Sequence, residues 1–301
     1  MIKNSYSIDV LEKLSPGEMM RIEKVGERKL ELTNSGELTL FFVGSGSAFT
    51  KKMNQTNILI VKGNDHIMID CGTKTPQALW EYGLPVFKID NFFITHTHAD
   101  HIGGLEEVML MNRYMMNLKR ANIYITPRFR KSLWNHSLRG GTEGNENHKG
   151  HPLSFNDMWN AQTPAKVKKM ERDTWNFSVG DLSITFFRTM HTPDSSRSWR
   201  DSAWSTGIII DERVLFTSDT RFDPSLIEFA EKHWNIETIF HDCQFFDGGV
   251  HASINELDTL PDSIKEKTFL MHYGDNWKDF EQRIADSKFI DMVREGNFYT
   301  F

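Results

Sequence analysis

Thr95-His96-Thr97-His98-Ala99-Asp100-His101 places four metal-binding side chains within six residues, directly after the apolar run Asn91-Phe92-Phe93-Ile94. Two histidines at i and i+2 point to the same side where a strand runs out, so both imidazoles reach one ion. The Asp and His that follow sit in a tight turn and can hold a second ion beside the first. A lone histidine is ordinarily a surface or satisfied core residue. Four such donors at this spacing indicate a metal site, and imidazole with carboxylate suits zinc and its neighbours.

Short β-rich runs bounded by turn residues recur on both sides of this stretch. The pattern predicts strands near residues 37–43, 57–61, 66–70, 91–95, 122–126, 182–187, 207–210, 214–217, 237–240 and 268–272. Hairpin signals stand at Lys62-Gly63-Asn64-Asp65 and Asp211-Glu212-Arg213. Helical periodicity predicts helices over residues 105–118, over 223–234 with Pro224 in the first turn, and over 280–295, closing the chain. Alternating strands and helices with hairpins give an α/β class, two sheets sandwiched between helices. Residues 140–150 read as a polar, glycine-rich loop inside a long connection, residues 127–180, expected to be a lid or a dimer contact. Residues 1–36 are weakly patterned, an extension of uncertain role on what is otherwise one domain spanning 1–301.

The 301 residues are 39% hydrophobic and 25% charged, with 22 Phe and 8 Trp, ample material for a packed core. A formal charge of −6 argues against a protein that coats nucleic acid nonspecifically. Cys71 and Cys243 are the only cysteines and supply no disulfide framework, which fits a reducing cytoplasm. The start lacks the apolar segment of a secretory signal, and no apolar run approaches the ~18 residues that would span a membrane. A cytoplasmic protein is expected, in the host cytoplasm if phage-encoded.

A pair of ions needs donors beyond one loop. His191, in Met190-His191-Thr192-Pro193, Asp219, in Thr217-Ser218-Asp219-Thr220, and His272, in Phe269-Leu270-Met271-His272-Tyr273, each follow a predicted strand. Strand ends on one rim converge in space. In this order the motif resembles the His-x-His-x-Asp-His signature of the metallo-β-lactamase superfamily, followed by a His, a bridging Asp and a final His. The resemblance runs from about Glu37 to Tyr273. It implies a four-layer αββα sandwich with the site at one end of the sheets. It further implies that His96, His98 and His191 hold one ion, that Asp100, His101 and His272 hold the other, and that Asp219 bridges. Asp70, in Ile69-Asp70-Cys71-Gly72, is also found in the family and would orient a ligand imidazole.

Within the superfamily, His98 in place of Glu favours zinc over redox iron, with manganese a second option. Asp219 in place of Cys separates the chain from the familiar β-lactamases. The 29 residues after His272 are too few for the helical domain of glyoxalase II-like thioesterases. Gly44-Ser45-Gly46-Ser47-Ala48-Phe49 with the following lysines, His241-Asp242-Cys243, and His251 in Gly248-Gly249-Val250-His251 resemble the ribonuclease Z-like phosphodiesterase branch. The tail from Ile239 to Asp275, with Ser45–Asn57 and Leu133–Gly141, is similar to the anti-Pycsar cyclic-nucleotide phosphodiesterases. The resemblance implies hydrolysis of 3′,5′-cyclic mononucleotides to 5′-nucleotides through a metal-bridging hydroxide. It also implies a role against cyclic-nucleotide immune signalling. Asp100 would orient or deprotonate the water, His251 would neutralise or protonate the leaving oxygen, and His241 and Asp242 would support the ligands. A homodimer is expected.

Three other readings stand beside it: a ribonuclease Z-type tRNA 3′-processing endonuclease, a binding protein that sequesters a nucleotide at an inactive metal site, and a lactonase or other carboxylic ester hydrolase, since the same metals polarise carbonyls. Residues 112–139 carry seven Lys/Arg and no acidic residue, interleaved with Tyr114, Tyr124, Phe129 and Trp134. They read either as a nucleotide or RNA contact or as a solvated face over core aromatics.

Overall fold

The computed structural model describes residues 20–301. Two eight-stranded sheets pack face to face. In the first, Thr39–Gly44, Asn57–Lys62 and Asp65–Ile69 are antiparallel, and Asn91–Phe93, Asn122–Tyr124 and Asn160–Gln162 extend it in parallel. In the second, Ala165–Val167, Thr174–Val179, Leu182–Arg188, Thr206–Ile210 and Val214–Phe216 are antiparallel. Thr238–Asp242, Thr268–Met271 and Asp291–Met292 then follow in parallel.

The strands are apolar on both faces because both faces are covered. In the run Leu40-Phe41-Phe42-Val43, Leu40 and Phe42 face the second sheet, where Ile208, Phe216 and Phe240 meet them. Phe41 and Val43 point the other way, to Leu79, Leu105 and Met109 on the helices. Across the second sheet, Ile209, Leu215 and Ile239 pack on Leu226, Phe229 and Ala230 of helix Pro224–His233. The layers are helix, sheet, sheet, helix, as the resemblance implied.

Each expected strand is present, with its ends moved by a residue or two. Both hairpin signals mark turns. Asp211 and Glu212 take left-handed φ values of 47° and 60°, and the Arg213 N–H donates to the Ile210 carbonyl. Lys62 and the Ser183 N–H donate to the Asp211 carboxylate, which ties that turn to its neighbours.

Three expectations about the elements fail. The closing helix over 280–295 is only Glu281–Ala285; two strands follow, Asp291–Met292 and Asn297–Thr300. The last strand lies between Arg21–Lys24 and Thr39–Gly44 in the first sheet. Phe298 and Tyr299 are flanked by opposite cores there, Phe298 against Phe41 and Tyr299 against Phe42, so the period of two prevails. Arg21–Lys24 thus gives part of the weakly patterned N-terminal segment a place in the sheet; residues 1–19 lie outside the described residues. The helix expected over 105–118 ends at Tyr114, since Asn117 and Leu118 turn left-handed and Met115 and Leu118 are 73% and 54% exposed. Finally, the glycine-rich loop is structured. Arg139–Thr142 is helical, Asn147–His148 pairs with His151–Pro152, and the chain then supplies strands to both sheets. Among the described residues no helix is long and apolar enough to cross a membrane.

Candidate metal centre

The donors emerge from strand ends. Asp70 follows Asp65–Ile69, His96 and His98 follow Asn91–Phe93, and His191 follows Leu182–Arg188. Asp219 follows Val214–Phe216, Asp242 ends Thr238–Asp242, and His272 follows Thr268–Met271. Asp70, Ser218 and His272 hold left-handed φ values of 62°, 52° and 63°. Such backbone costs non-glycine residues of order 1 kcal/mol or more and concentrates at functional sites. Here it swings side chains off the strand axis toward one point.

Asp100 and His101 ride on the short helix Ala99–Ile102, whose place is fixed by a lattice of backbone contacts. The Cys71 N–H donates to the His101 carbonyl at 2.8 Å, the Gly104 N–H donates to Cys71 at 2.9 Å, and Asn57 Nδ2 donates to the Asp100 carbonyl at 3.0 Å. A Cβ at Gly72 would collide with that same carbonyl. Gly72→Ala must therefore push the metal-binding turn off the strand end. It is expected to cost about 3 kcal/mol in urea unfolding and to lower zinc content together.

Asp219 is the centre of the cluster. Its Oδ2 lies 3.7 Å from His96 Nε2, 3.3 Å from His101 Nε2, 3.8 Å from His191 Nε2 and 3.4 Å from His272 Nε2. His101 Nε2 and His272 Nε2 each stand 3.2 Å from Asp100 Oδ2, and His98 Nδ1 stands 3.2 Å from His191 Nε2. His96 Nε2, His101 Nε2 and Asp219 Oδ2 are buried without a hydrogen-bond partner. Orphaned polar atoms of this kind are costly unless something else satisfies them. Zinc bonds of ~2.0–2.1 Å in a tetrahedron give ligand-to-ligand edges of ~3.3 Å, close to these separations. Three groups of donors lie close enough to hold an ion: His96, His98, His191 and Asp219; Asp100, His101, Asp219 and His272; and Asp219, Asp242, His251 and His272. The donor chemistry fits two divalent cations that share Asp219.

Electrostatics agree. Burial drives the His96 pKa well below its ordinary value and lowers those of His98 and His191, the last to about 4, so these three stay neutral donors. Burial opposes charge on His101 and His272 too, but Asp219 and Asp100, with Asp70 beside His101 and Asp242 beside His272, raise both well above 6.5. The carboxylates select positive charge at this point, whether proton or metal.

Outer contacts hold the imidazoles in place. Asp70 Oδ2 lies 2.7 Å from His101 Nδ1 and accepts from Thr95 Oγ1 at 2.7 Å, while its Oδ1 accepts the Thr95 N–H. Thr95 Oγ1 is 3.1 Å from His96 Nδ1 and accepts from Ser218 Oγ at 2.9 Å. The Val250 carbonyl is 2.9 Å from His191 Nδ1. Asp242 reaches His272 Nδ1 at 3.4 Å with one oxygen and His251 Nδ1 at 2.8 Å with the other. These partners fix ring orientation and tautomer.

The structure brings together His96, His98, Asp100, His101, His191, Asp219 and His272, with Asp70, Asp242 and His251 around them. His241 is not brought in. It alternates with Asp242 along its strand, so its ring faces away, and Nδ1 meets only the Asp242 carbonyl. Thr95, Ser218 and the Val250 carbonyl escaped sequence reasoning; only Thr95, inside the motif, carried any signal. The basic stretch 112–139 is largely engaged internally. Arg113 pairs with Glu146, Lys119 with Asp90 and Arg139 with Glu143, and Arg120 donates to the Asn156 carbonyl.

The family model described as "Anti-Pycsar protein Apyc1" matches residues 38–299. An anti-Pycsar protein Apyc1 of Bacillus phage vB_BsuM-Goe3 is 34% identical over 264 residues, covering 85% of this chain and 96% of the relative. One from Paenibacillus harenae is 35% identical over 253 residues, covering 84% and 96%. Among solved structures, the metallo-β-lactamase fold protein YhfI of Bacillus subtilis aligns with a TM-score of 0.63 at 16% identity, covering 88% of this chain and all of that one. The site at the sandwich's end and these matches agree: the chain has the metallo-β-lactamase fold and belongs to the anti-Pycsar Apyc1 family.

Proposed function

We propose that this chain is a dinuclear metal-dependent phosphodiesterase. It opens the ring of 3′,5′-cyclic mononucleotides to give 5′-nucleotides and so counters cyclic-nucleotide immune signalling in the cytoplasm. The observation that carries the reading is the convergence of four imidazole Nε2 atoms on the buried, unpaired Asp219 Oδ2, in a chain of the anti-Pycsar family. Two divalent ions, zinc first and manganese second, supply charge to hold a phosphodiester and make hydroxide available near neutral pH.

The chain's own groups do the rest. His96, His98 and His191 would hold one cation and Asp100, His101 and His272 the other, with Asp219 common to both groups. Asp70 locks His101, and the Val250 carbonyl locks His191. Asp100 orients the attacking water. His251, with Nδ1 engaged by Asp242, has Nε2 available to give a proton to the departing 3′ oxygen. We read the chain as one domain that works as a homodimer.

The test is a parallel incubation of the zinc- or manganese-loaded protein with 3′,5′-cyclic mononucleotides, precursor tRNA and a lactone. Release of 5′-nucleotide from the cyclic substrates is the expected result. Cleavage of tRNA alone would make the chain a processing endonuclease instead. Nucleotide bound but recovered intact would make it a sequestering protein.

A further inference from the structure

Two phenylalanines lie open to solvent on loops tied to this centre, Phe49 at 88% exposure and Phe246 at 66%. Burying a phenyl ring is worth roughly 1.5–3 kcal/mol, so an exposed one normally has a use or no neighbours to pack on. Neither belongs to a hydrophobic core, although Met53 and Phe245 close by in the chain do. Phe245, one residue before Phe246, is buried and stacks on Phe280 with ring centres 4.2 Å apart.

Both rings belong to loops tied to the metal-binding residues. The Ser45 carbonyl accepts the His272 N–H at 2.9 Å, and the Ser47 N–H donates to the Tyr273 carbonyl at 3.0 Å, two residues before Phe49. On the other loop, Val250 meets His191 and His251 meets Asp242. The loops converge on Tyr273, the residue after His272. Its hydroxyl is 3.2 Å from Ser45 Oγ, and its ring centre is 5.9 Å from that of Phe245. Phe49 and Phe246 therefore sit on two loops anchored to the same pair of residues, His272 and Tyr273.

Resting on the phosphodiesterase reading above, we propose that Phe49 and Phe246 form an aromatic rim that holds the nucleobase of the substrate by stacking. In a 3′,5′-cyclic nucleotide the phosphate is fused to one side of the ribose and the base leaves from C1′, on the other. Phosphate seated at the cations puts the base out at the mouth of the site. An exposed phenyl face is what a flat heterocycle needs there, and such stacking grips any base through its π-face.

The experiment measures steady-state hydrolysis by wild type, Phe49→Ala, Phe246→Ala and the double variant. The substrates are a purine 3′,5′-cyclic mononucleotide and the methyl riboside 3′,5′-cyclic phosphate, which has no base. Each single variant is expected to raise the KM for the nucleotide by about tenfold. The double variant raises it further, kcat falls little, metal content is kept, and Phe→Trp at either position restores KM. KM for the base-free substrate stays near the wild-type value. A double variant with unchanged KM for the nucleotide, or with equal losses on both substrates, would overturn the rim. Wild-type protein that leaves both cyclic phosphates intact would overturn the phosphodiesterase reading and the rim with it.

Discussion

Asp219→Ala is expected to strip the protein of both cations and to lower turnover by at least about 10⁴-fold, some 5.5 kcal/mol of barrier. Asp219 Oδ2 lies within 3.8 Å of four imidazoles belonging to both ligand groups. Without it the first group is three histidines with no anionic donor. The second keeps only Asp100 to balance a divalent charge. Asp219→Asn retains volume and an oxygen donor but not the charge, and is expected to keep less than one zinc per chain by elemental analysis. Two ions retained with ordinary turnover would remove Asp219 from the centre.

The same substitution has a signature in the metal-free protein. Asp219 raises the pKa of His101 and of His272 above 6.5, and those histidines hold Asp219 well below 3.8. A raised histidine pKa contributes stability that is full below 6.5 and is lost as pH rises through the folded value. A depressed carboxylate pKa contributes stability that is present above 3.8 and is lost as pH falls through the folded value. Both conditions hold between pH 3.8 and 6.5. In chelator-treated protein the stability gap between wild type and Asp219→Ala should be widest in that window and narrow as pH rises above it. A gap that is constant with pH would mean that Asp219 acts there through packing alone.

How far the sequence carried the reading depended on whether a feature was local. His96, His98, Asp100 and His101 were readable because the chemistry occupies one turn. His191, Asp219 and His272 were readable because each closes an apolar run, and parallel strands bring such ends to one rim. His241 was misread because one position along a strand reverses the face, and nothing adjacent to it says which face looks inward. The terminal strand Asn297–Thr300 was lost for a different reason. Its partners, Arg21–Lys24 and Thr39–Gly44, are more than 250 residues away, so the pairing has no local mark. The backbone carbonyl of Val250 could not be foreseen at all, since every residue has one.

His251→Ala carries the second large effect, a fall in turnover of about 10²-fold with both ions retained. His251 also falls in a third cluster with Asp219, Asp242 and His272, which taken alone would make it a ligand. The distances favour another role: His251 Nδ1 is 2.8 Å from Asp242 Oδ2 and 4.0 Å from Asp219 Oδ2. That nitrogen is engaged by Asp242, which makes the ring a proton carrier held by a carboxylate. Burial works against its charge, but Asp242 more than compensates and raises the pKa above 6.5. Asp242 thus favours the protonated ring, and turnover should fall as pH rises through the His251 pKa of the metal-loaded enzyme. The variant should lose that alkaline limb, and Asp242→Asn should move the limb to lower pH. Loss of an ion from His251→Ala would make it a ligand instead. Full turnover with the alkaline limb intact would leave the leaving oxygen to be protonated by solvent.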